Sequence, residues 1–459
     1  MKIKNILILF LIFAILFQAV HSYASFTIED EKKLGKEFYE KLKKNNVLLK
    51  NRKVNDYITK LGNKILAHSR KAPFDFHFSV IRSSAINAFA TPGGYVYVNR
   101  GLINLVENEN QLAGVLAHEI AHINARHIAD TIEKSKKVSI ATLAAILAGA
   151  FLGGGGQGTA AAAAFSMATA TTLNLKYSRE HEEEADRLGM SYLVSTGYDG
   201  RGMPDFLKIM RRYQFYSNSV PSYFLTHPGT DERVRYLDGL LQTKYTSRGA
   251  KNIIGRLKRI QTILMFGERN LDLTLKHFQN ILKKRPNDVD TLYGLAVTQG
   301  RLGLATESFK SFNRALKLSP NDEDVLRDLG ISYFKIGKTS DAINVLKKAC
   351  SVDENDVSAL SYLGRSYEAA GDYKTALKLY KKLKGKNPDN TNTYYHLAMA
   401  YGKANEQGES HYNFGIYFKK KKKMKSALFH FKAAQKYFPK ESQKGREIQK
   451  EIESIKDIS

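Results

Sequence analysis

The chain has 459 residues, of which 43% are hydrophobic, so it is long enough for two or more domains and apolar enough to fold. Its single cysteine, Cys350, excludes an internal disulfide. The formal net charge of +26 attracts polyanions, but the sequence has no zinc-finger or RNA-recognition pattern, so we expect no nucleic-acid partner.

The N-terminus has the pattern of a cleavable signal peptide, residues 1–24. A basic start containing Lys4 precedes the apolar residues 6–17, and the small residues Ser22 and Ala24 stand at the expected cleavage positions. The apolar run is short for a membrane span, and no cysteine follows it to carry a lipid anchor. We therefore expect export after cleavage. The positive charge of the exported chain then belongs either to solvated lysine-rich faces, which we favour, or to a membrane contact.

The next residues predict helices around a small sheet. Apolar residues recur at helical spacing over residues 28–66, and residues 74–81 alternate as a strand does. Residues 87–102 predict a strand, a tight turn at Pro92-Gly93-Gly94 and a second strand. We expect a further helix over residues 105–127.

An alanine- and glycine-rich stretch, residues 138–172, allows two interpretations. Each half is too short to span a bilayer, so the stretch forms either a buried helical hairpin or an arm that touches a membrane or covers a cleft. Residues 177–196 then predict a polar-rich helix. Residues 200–241 predict further helices, interrupted by the sequence THPGTDER.

The C-terminal part contains a repeat. The same place in a 34-residue period holds Pro286, Pro320, Glu354 and Pro388. The pattern Leu-x-x-Leu-Gly-x-x-Tyr begins at Leu326 and recurs at Leu360, which resembles the tetratricopeptide repeat in period and in the placing of small and aromatic residues. Such repeats stack into a solenoid and usually hold a peptide or protein partner.

The repeats set the remaining domain boundaries. We expect a linker over residues 251–270, repeats over residues 271–440 and a capping helix over residues 441–459. The last repeat contains five consecutive lysines, residues 419–423. Such a run is usually a solvated turn, and the alternative is a contact with anionic lipid.

The sequence VLAHEIAHINARH, residues 115–127, could present two histidines to one metal ion. His118 and His122 are four residues apart and therefore share a helix face, and Glu119 lies beside them, within reach of a zinc-bound water. His127, nine residues after His118, would point to the opposite face of a continuous helix. We interpret His127 as a structural histidine.

A third metal ligand must come from another segment. A histidine ten residues after His118, beyond a glycine, is excluded, since those places hold Ile128 and Ala125. The sequence YSREHEEEADRLG offers Glu182 and Asp186, four residues apart and so on one helix face. Glu182 as the third ligand leaves a fourth position open for water, and Asp186 could accept the free ring N–H of a ligand histidine. The alternative is a solvated acidic patch.

Four segments together resemble one family of enzymes. NAFATPGG, VLAHEIAHINARH, YSREHEEEAD and THPGTDER occur in this order within residues 28–240. They are similar to the zinc metallopeptidases related to HtpX, the Oma-type mitochondrial protease and the CAAX prenyl protease. With an exported start and C-terminal repeats, the pattern is most similar to the periplasmic beta-barrel assembly-enhancing protease group.

The resemblance implies a fold and a zinc site. The fold would be mainly α with a small β-sheet, in which an α+β gluzincin-type metallopeptidase domain over residues 25–250 precedes the α-solenoid of repeats. His118, His122 and Glu182 would bind one zinc ion per chain, and Glu119 would be the general base.

The loop THPGTDER contributes two further residues by the same resemblance. His227 would approach the metal from a mobile loop and could occupy its fourth position in a latent state, and Arg233 would act in catalysis. The alternative for His227 and Pro228 is a turn that starts a helix.

These residues predict hydrolysis of peptide bonds. Zinc lowers the pKa of its water from about 15.7 toward about 7, and Glu119 would accept the proton and deliver it to the leaving amine. A donor such as His227 or Arg233 would stabilise the oxyanion. We expect the substrate strand to pair with the sheet edge near residues 93–99.

Two functions fit the whole pattern. The first is an exported, periplasmic zinc endopeptidase of envelope protein quality control, which degrades misfolded or stalled outer-membrane proteins while its repeats dock on the beta-barrel assembly machinery. The alternative is a chaperone-like adapter in which the repeats act and the protease site is latent. A Glu119→Gln substitution that abolishes function in cells would favour the protease.

Overall fold

A computed structural model describes residues 26–133, 142–144, 177–217, 220–266 and 270–456. The predicted signal peptide and nearly all of the alanine- and glycine-rich stretch lie outside these ranges. The chain divides into two compact units, with the boundary between Leu264 and Met265. Within the described ranges, no helix is both long enough and apolar enough to cross a membrane.

The first unit, which we call the peptidase unit, is built from helices and a small sheet. Its helices in chain order are α1 Ile28–Lys44, α2 Arg52–Leu66, α3 Arg100–Leu105, α4 Glu109–Asn124, α5 His127–Glu133, α6 Arg179–Ser195, α7 Gly202–Ser217, α8 Ser222–Thr226, α9 Thr230–Thr243 and α10 Leu257–Met265. Its strands are β1 His77–Ile81, β2 Ala88–Thr91 and β3 Tyr95–Asn99. The predicted fold class, mainly helical with a small sheet, is confirmed.

The helical structure predicted over residues 28–66 is present, but the prediction missed a break, because asparagines divide the segment into α1 and α2. Asn45 caps the C-terminus of α1, and Asn46 has a φ of 53°, a left-handed conformation that asparagine tolerates. The side chain of Asn51 then accepts the backbone N–H of Val54 at 3.2 Å and starts α2.

The sheet has the order β1-β3-β2, so β3 is its central strand. Strand β3 pairs in parallel with β1 and antiparallel with β2. The predicted turn between β2 and β3 is present, with Gly93 and Gly94 at φ values of 81° and 92°. The predicted docking edge at residues 93–99 is therefore wrong, because both sides of β3 are already paired.

Helix α1 covers the sheet with one apolar face. Leu34, Phe38 and Leu42 recur every four residues, and all three are buried. The ring of Phe38 meets Phe89 of β2 and Tyr97 of β3 edge-on, with ring centroids 6.2 and 5.5 Å apart. This packing holds the sheet in place, and the sheet in turn helps to position the neighbouring helix α4.

The second unit, which we call the repeat unit, consists of helices joined by short turns in its described residues. Its helices are α11 Leu271–Lys284, α12 Val289–Arg301, α13 Ala305–Leu318, α14 Glu323–Lys335, α15 Thr339–Val352, α16 Val357–Ala369, α17 Tyr373–Lys386, α18 Thr391–Lys403, α19 Gln407–Lys420, α20 Met424–Gln435 and α21 Gln443–Lys456. Small residues let these helices approach closely: a Cβ on Gly330 would lie 2.5 Å from Leu346, and one on Gly364 would lie 2.6 Å from Tyr380.

The repeat also has a regular pattern of N-capping residues. The N-caps of α12, α14, α16 and α18 stand 34 residues apart and are Asp288, Asp322, Asp356 and Asn390. Each side chain accepts a backbone N–H from the first turn of its helix, at 2.9 to 3.1 Å. Each repeat therefore begins at a residue type that stabilises a helix start.

Candidate metal centre

Helix α4 supplies three buried side chains of the candidate metal centre. His118, Glu119 and His122 are 1%, 0% and 2% exposed. The Nε2 atoms of the two histidines lie 3.0 Å apart, so the two ring nitrogens face the same point. Neither carboxylate oxygen of Glu119 has a hydrogen-bond partner.

Helix α6 brings Glu182 against these histidines. A Cβ on Gly189 would lie 3.1 Å from the backbone of Ala117 and His118, so glycine allows α6 to pack closely on α4. The two carboxylate oxygens of Glu182 lie 3.4 Å from Nε2 of His122 and 3.5 Å from Nε2 of His118.

A third segment carries His227 into the same cluster. Its Nδ1 lies 2.9 Å from Oε1 of Glu182 and 3.3 Å from Nε2 of His118. The imidazole stacks on Tyr223, with ring centroids 4.3 Å apart, and the backbone N–H of Tyr223 donates to the carbonyl of Ile86 at 3.1 Å. His227 is fully buried and is the C-cap of α8. Helix α9 begins at Thr230, so the turn of the alternative interpretation is present, and it also carries His227 into the cluster.

These four residues fit one zinc ion. One ligand atom from each of His118, His122, Glu182 and His227 lies within 4.8 Å of all the others. Two neutral imidazole nitrogens only 3.0 Å apart can share one proton at most, whereas a cation about 2.1 Å from each satisfies both lone pairs. Nitrogen and carboxylate oxygen are ligands that zinc prefers.

Asp186 supports the first histidine from behind. Its Oδ1 lies 2.8 Å from Nδ1 of His118, on the side of the ring away from the cluster. Arg233 donates to both oxygens of Asp186, at 2.7 and 2.8 Å, and the hydroxyl of Tyr236 also donates to this carboxylate. Asp186 therefore lies where the sequence predicted it, with partners that hold its carboxylate in place.

The charges of the cluster are strongly coupled. Burial alone would raise the pKa of Asp186 and of Glu182, but Arg233 beside them holds both values below the usual range. Burial would lower the pKa of His118, but Glu182 and Asp186 raise it to about 9. The two carboxylates therefore place a negative field on the cluster, which favours a bound cation.

Glu119 and Arg233 differ in their surroundings: the carboxylate of Glu119 has no hydrogen bond, whereas the guanidinium of Arg233 is paired with carboxylates. Burial raises the pKa of Glu119, which makes its carboxylate a stronger base than an exposed glutamate. The guanidinium of Arg233 is 4% exposed and contacts Asp186 and Glu182. The predicted catalytic role of Arg233 stays a prediction, since in this structure the side chain pairs with these carboxylates.

Two neighbours of His122 were missed or misread in the sequence. Helix α4 ends at Asn124, and Arg126 has a φ of 57°, so the continuous helix predicted through His127 is wrong. The turn brings Nδ1 of His127 within 2.8 Å of Nδ1 of His122. The ring of Tyr177 stacks on His122 with centroids 3.7 Å apart. Only its place as the first residue of the YSREHEEEAD segment could have suggested Tyr177 from the sequence.

The fold and this set of donors define a zinc metallopeptidase domain of the His-Glu-x-x-His type. Residues 49–241 match the family model described as Peptidase family M48, and the chain carries a domain of this family. Residues 258–396 match a second model, described as the N-terminal TPR repeats region of Psidin. The family resemblance inferred from the four sequence segments is confirmed, and with it the expectation of zinc.

Curated relatives match a little less than half of the chain. Over 212 residues the chain is 32% identical to the putative beta-barrel assembly-enhancing protease of Vibrio cholerae and 29% identical to the beta-barrel assembly-enhancing protease of Escherichia coli K12. Each match covers 46% of this chain and 44% of the relative. The chain is also 29% identical over 193 residues to the mitochondrial metalloendopeptidase OMA1 of Schizosaccharomyces pombe, which covers 42% of this chain and 54% of that protein. These matches therefore span about half the length of the relatives.

Proposed function

We propose that this chain is an exported zinc endopeptidase that cleaves misfolded or stalled proteins of the cell envelope. The observation that carries the proposal is the buried cluster of His118, His122 and Glu182, next to a Glu119 carboxylate whose two oxygens have no hydrogen-bond partner. A buried carboxylate without a hydrogen-bond partner lowers the stability of the fold, so we assign the Glu119 carboxylate to catalysis. The names of the relatives, beta-barrel assembly-enhancing proteases, support the envelope role.

The proposed mechanism gives each side chain one task. His118, His122 and Glu182 would hold zinc, which as a Lewis acid polarises the scissile carbonyl and makes water nucleophilic at neutral pH. Glu119 accepts the proton of the attacking water on one carboxylate oxygen and delivers it to the leaving amine. Asp186 keeps the proton of His118 on Nδ1, so that Nε2 is free to bind the metal.

His227 gives the site a latent state in this proposal. Its Nδ1 lies among the donor atoms, 2.9 Å from Glu182 and 3.3 Å from His118, where a substrate carbonyl or water has to enter. Departure of His227 from the cluster would open that place. The imidazole stacks on Tyr223, so this contact would have to break or Tyr223 would have to leave with His227.

The strand β2 is the proposed substrate edge. The bond from the N–H of Asn99 to the carbonyl of Asn87 sets the antiparallel alternation, which leaves the backbone N–H and C=O of Ala88 and Ala90 on the outer side of β2. Ala90 and His122 line the same small cavity. An extended substrate added to β2 would therefore run beside the metal ligands.

The substitution Ala90→Pro tests this edge. Proline removes an outward N–H without removing a bond of the sheet, so we expect cleavage of unfolded substrates to fall at least about tenfold. Bound zinc, measured in the same sample, serves as the control for folding. Cleavage at the wild-type rate with zinc retained would exclude substrate pairing at β2.

The central experiment is cleavage of casein by residues 25–459. Wild type, Glu119→Gln and His227→Ala are compared, with bound zinc quantified in each. We expect one zinc per chain, a loss of about 10²- to 10⁴-fold in Glu119→Gln with zinc retained, and a gain of activity in His227→Ala. Absence of bound zinc from the wild-type chain would contradict the proposal.

The repeat unit is proposed to dock partners. Repeats of this kind bind peptides and proteins, and the names of the relatives favour beta-barrel assembly machinery as one partner in the periplasm. The high positive charge extends the proposal to a peripheral contact with an anionic membrane surface. The alternative function, a chaperone-like adapter with a latent protease site, predicts that Glu119→Gln still supports function in cells.

A further inference from the structure

His127 lies next to His122 because helix α4 ends just before His127. In a continuous helix, positions 122 and 127 would be about 140° apart around the axis. The left-handed turn at Arg126, φ 57°, reverses the chain after α4 and starts α5 at His127. The guanidinium of Arg126 holds this turn by donating to the buried carboxylate of Glu31 at 2.6 Å and to the carbonyl of Phe26 at 3.1 Å.

The turn produces a continuous chain of polar contacts that leads away from the metal centre. Nδ1 of His122 lies 2.8 Å from Nδ1 of His127, and Nε2 of His127 lies 3.3 Å from Oε2 of Glu184. His127 is 2% exposed, whereas the side chain of Glu184 is 57% exposed. This series of contacts therefore begins at the buried ring of His122 and ends at the carboxylate of Glu184, which is in contact with solvent.

The position of each proton in this chain follows from the metal centre. Nε2 of His122 faces the other ligand atoms and needs its lone pair to bind a metal, so the proton of that ring is on Nδ1. This N–H donates to His127, whose Nδ1 must accept and whose own proton is then on Nε2. That second N–H donates to the carboxylate of Glu184. One arrangement of protons satisfies both contacts.

We infer that His127, held by Glu184, is a positioning residue that orients His122 for metal binding. The inference rests on the proposed zinc site. His127 would serve His122 as Asp186 serves His118, with one difference. Asp186 is a buried carboxylate directly against the ligand ring, at 2.8 Å, whereas His127 places a neutral imidazole between the ligand ring and a carboxylate.

Two substitutions distinguish the roles of the two ring nitrogens of His127. Asparagine places an amide oxygen near the position of Nδ1 and keeps the acceptor for His122, but it cannot reach Glu184. Glutamine places an amide nitrogen near the position of Nε2 and keeps the donor to Glu184, but it offers His122 no acceptor. Phenylalanine fills the space and removes both contacts.

The experiment measures zinc affinity of the full chain by competition with a chelating dye. We expect His127→Phe and His127→Gln to bind zinc about 10- to 100-fold more weakly than wild type and His127→Asn to stay within about threefold. His181→Asn is the matched control, since His181 stacks on His127 with centroids 4.3 Å apart and bonds Asp130 but does not reach His122. Its zinc affinity should not change.

Two further readouts distinguish positioning from a general effect on folding. Unfolding of the metal-free variants should not rank them as zinc affinity does, because the orientation of His122 matters only when metal binds. The visible absorption of the Co²⁺-loaded protein should change in His127→Phe and not in His181→Asn, since it reports the geometry of the ligands.

The outcomes separate this inference from the proposed function. Weak binding in the phenylalanine and glutamine variants with near wild-type binding in His127→Asn supports the positioning role. Wild-type affinity in His127→Phe, or an equal loss in the asparagine and glutamine variants, overturns it while a zinc-binding, casein-cleaving wild type leaves the proposed function intact. A wild-type chain that binds no zinc overturns both.

Discussion

A cluster of buried charge in the peptidase unit and another in the repeat unit differ in whether protein groups alone satisfy them. In the peptidase unit, His118 and His122 point two ring nitrogens at each other across 3.0 Å, and both oxygens of Glu119 lack a hydrogen bond. The ring nitrogens converge on one point together with Glu182, which is a set of donors that suits a zinc ion.

The cluster in the repeat unit is closed, by which we mean that its charged groups are satisfied by one another. Arg327 donates to Asp324 at 2.7 Å and to Asp328 at 2.8 Å, and it also approaches Asp356 at 3.3 Å. The hydroxyl of Tyr293 donates to the second oxygen of Asp328 at 2.6 Å. The comparison shows how a structural cluster differs from a metal site: in the first each charge meets its opposite, and in the second the donors converge on one point.

The largest effect should come from breaking the closed cluster with Arg327→Met. The substitution leaves Asp324 and its neighbours without their cation, so we expect the repeat unit to lose about 3–5 kcal/mol of unfolding free energy in urea. The matched control is Lys382→Met. Its ammonium lies 3.7 Å from Glu354, and the two side chains are 44% and 73% exposed, so the loss should stay below about 1 kcal/mol. Equal losses would mean that the cluster is not a stabilising element.

Removal of zinc should act on the open cluster alone. A ligand at about 100 times its dissociation constant stabilises the folded state by about 2.7 kcal/mol, so chelation with EDTA should lower the melting temperature of the peptidase unit by several degrees. The transition of the repeat unit should not move, because the Arg327 cluster needs no metal. A shift of both transitions by the same amount would contradict this separation.

A smaller effect is expected at Glu109, a buried carboxylate at the start of α4 that is fully satisfied. It accepts the hydroxyls of Tyr198 and Tyr57 at 2.7 and 3.0 Å and the backbone N–H groups of residues 253–255. Burial alone would raise the pKa of Glu109, but the bond from Tyr198 and these N–H groups bring it below its usual value. Helix α4 of the peptidase unit thus carries both a carboxylate that is satisfied by protein groups, Glu109, and residues of the candidate metal centre.

The substitution Glu109→Gln tests this contact through its pH dependence. Because the folded pKa is lower than the unfolded pKa, the stabilisation is complete above the unfolded value, about 4.3, and is lost as pH falls through the folded value. In metal-free protein we expect a loss of about 1–2 kcal/mol at pH 7 that shrinks below about pH 4. The control Glu107→Gln changes a surface pair with Arg212, 3.1 Å apart, and should have little effect at either pH.

The sequence predicted the parts of the molecule that depend on local spacing. The four-residue separations of His118 from His122 and of Glu182 from Asp186 place each pair on one helix face, and both pairs lie together in the structure. The 34-residue period gave the repeat helices, because each repeat packs mainly on its neighbours in the chain. The helix breaks at Asn45 and Arg126 were missed, since apolar periodicity continues across both.

What the sequence by itself determined is the set of ligand types, their helical faces and the period of the repeats, because these follow from dihedral geometry along one segment. What only the tertiary structure decided is how distant segments meet. Nothing local placed His227 beside Glu182, made β3 the central strand or turned His127 back toward His122. Those contacts depend on close packing between segments, as at Gly189 against α4, and on a left-handed residue whose cost the surrounding contacts offset.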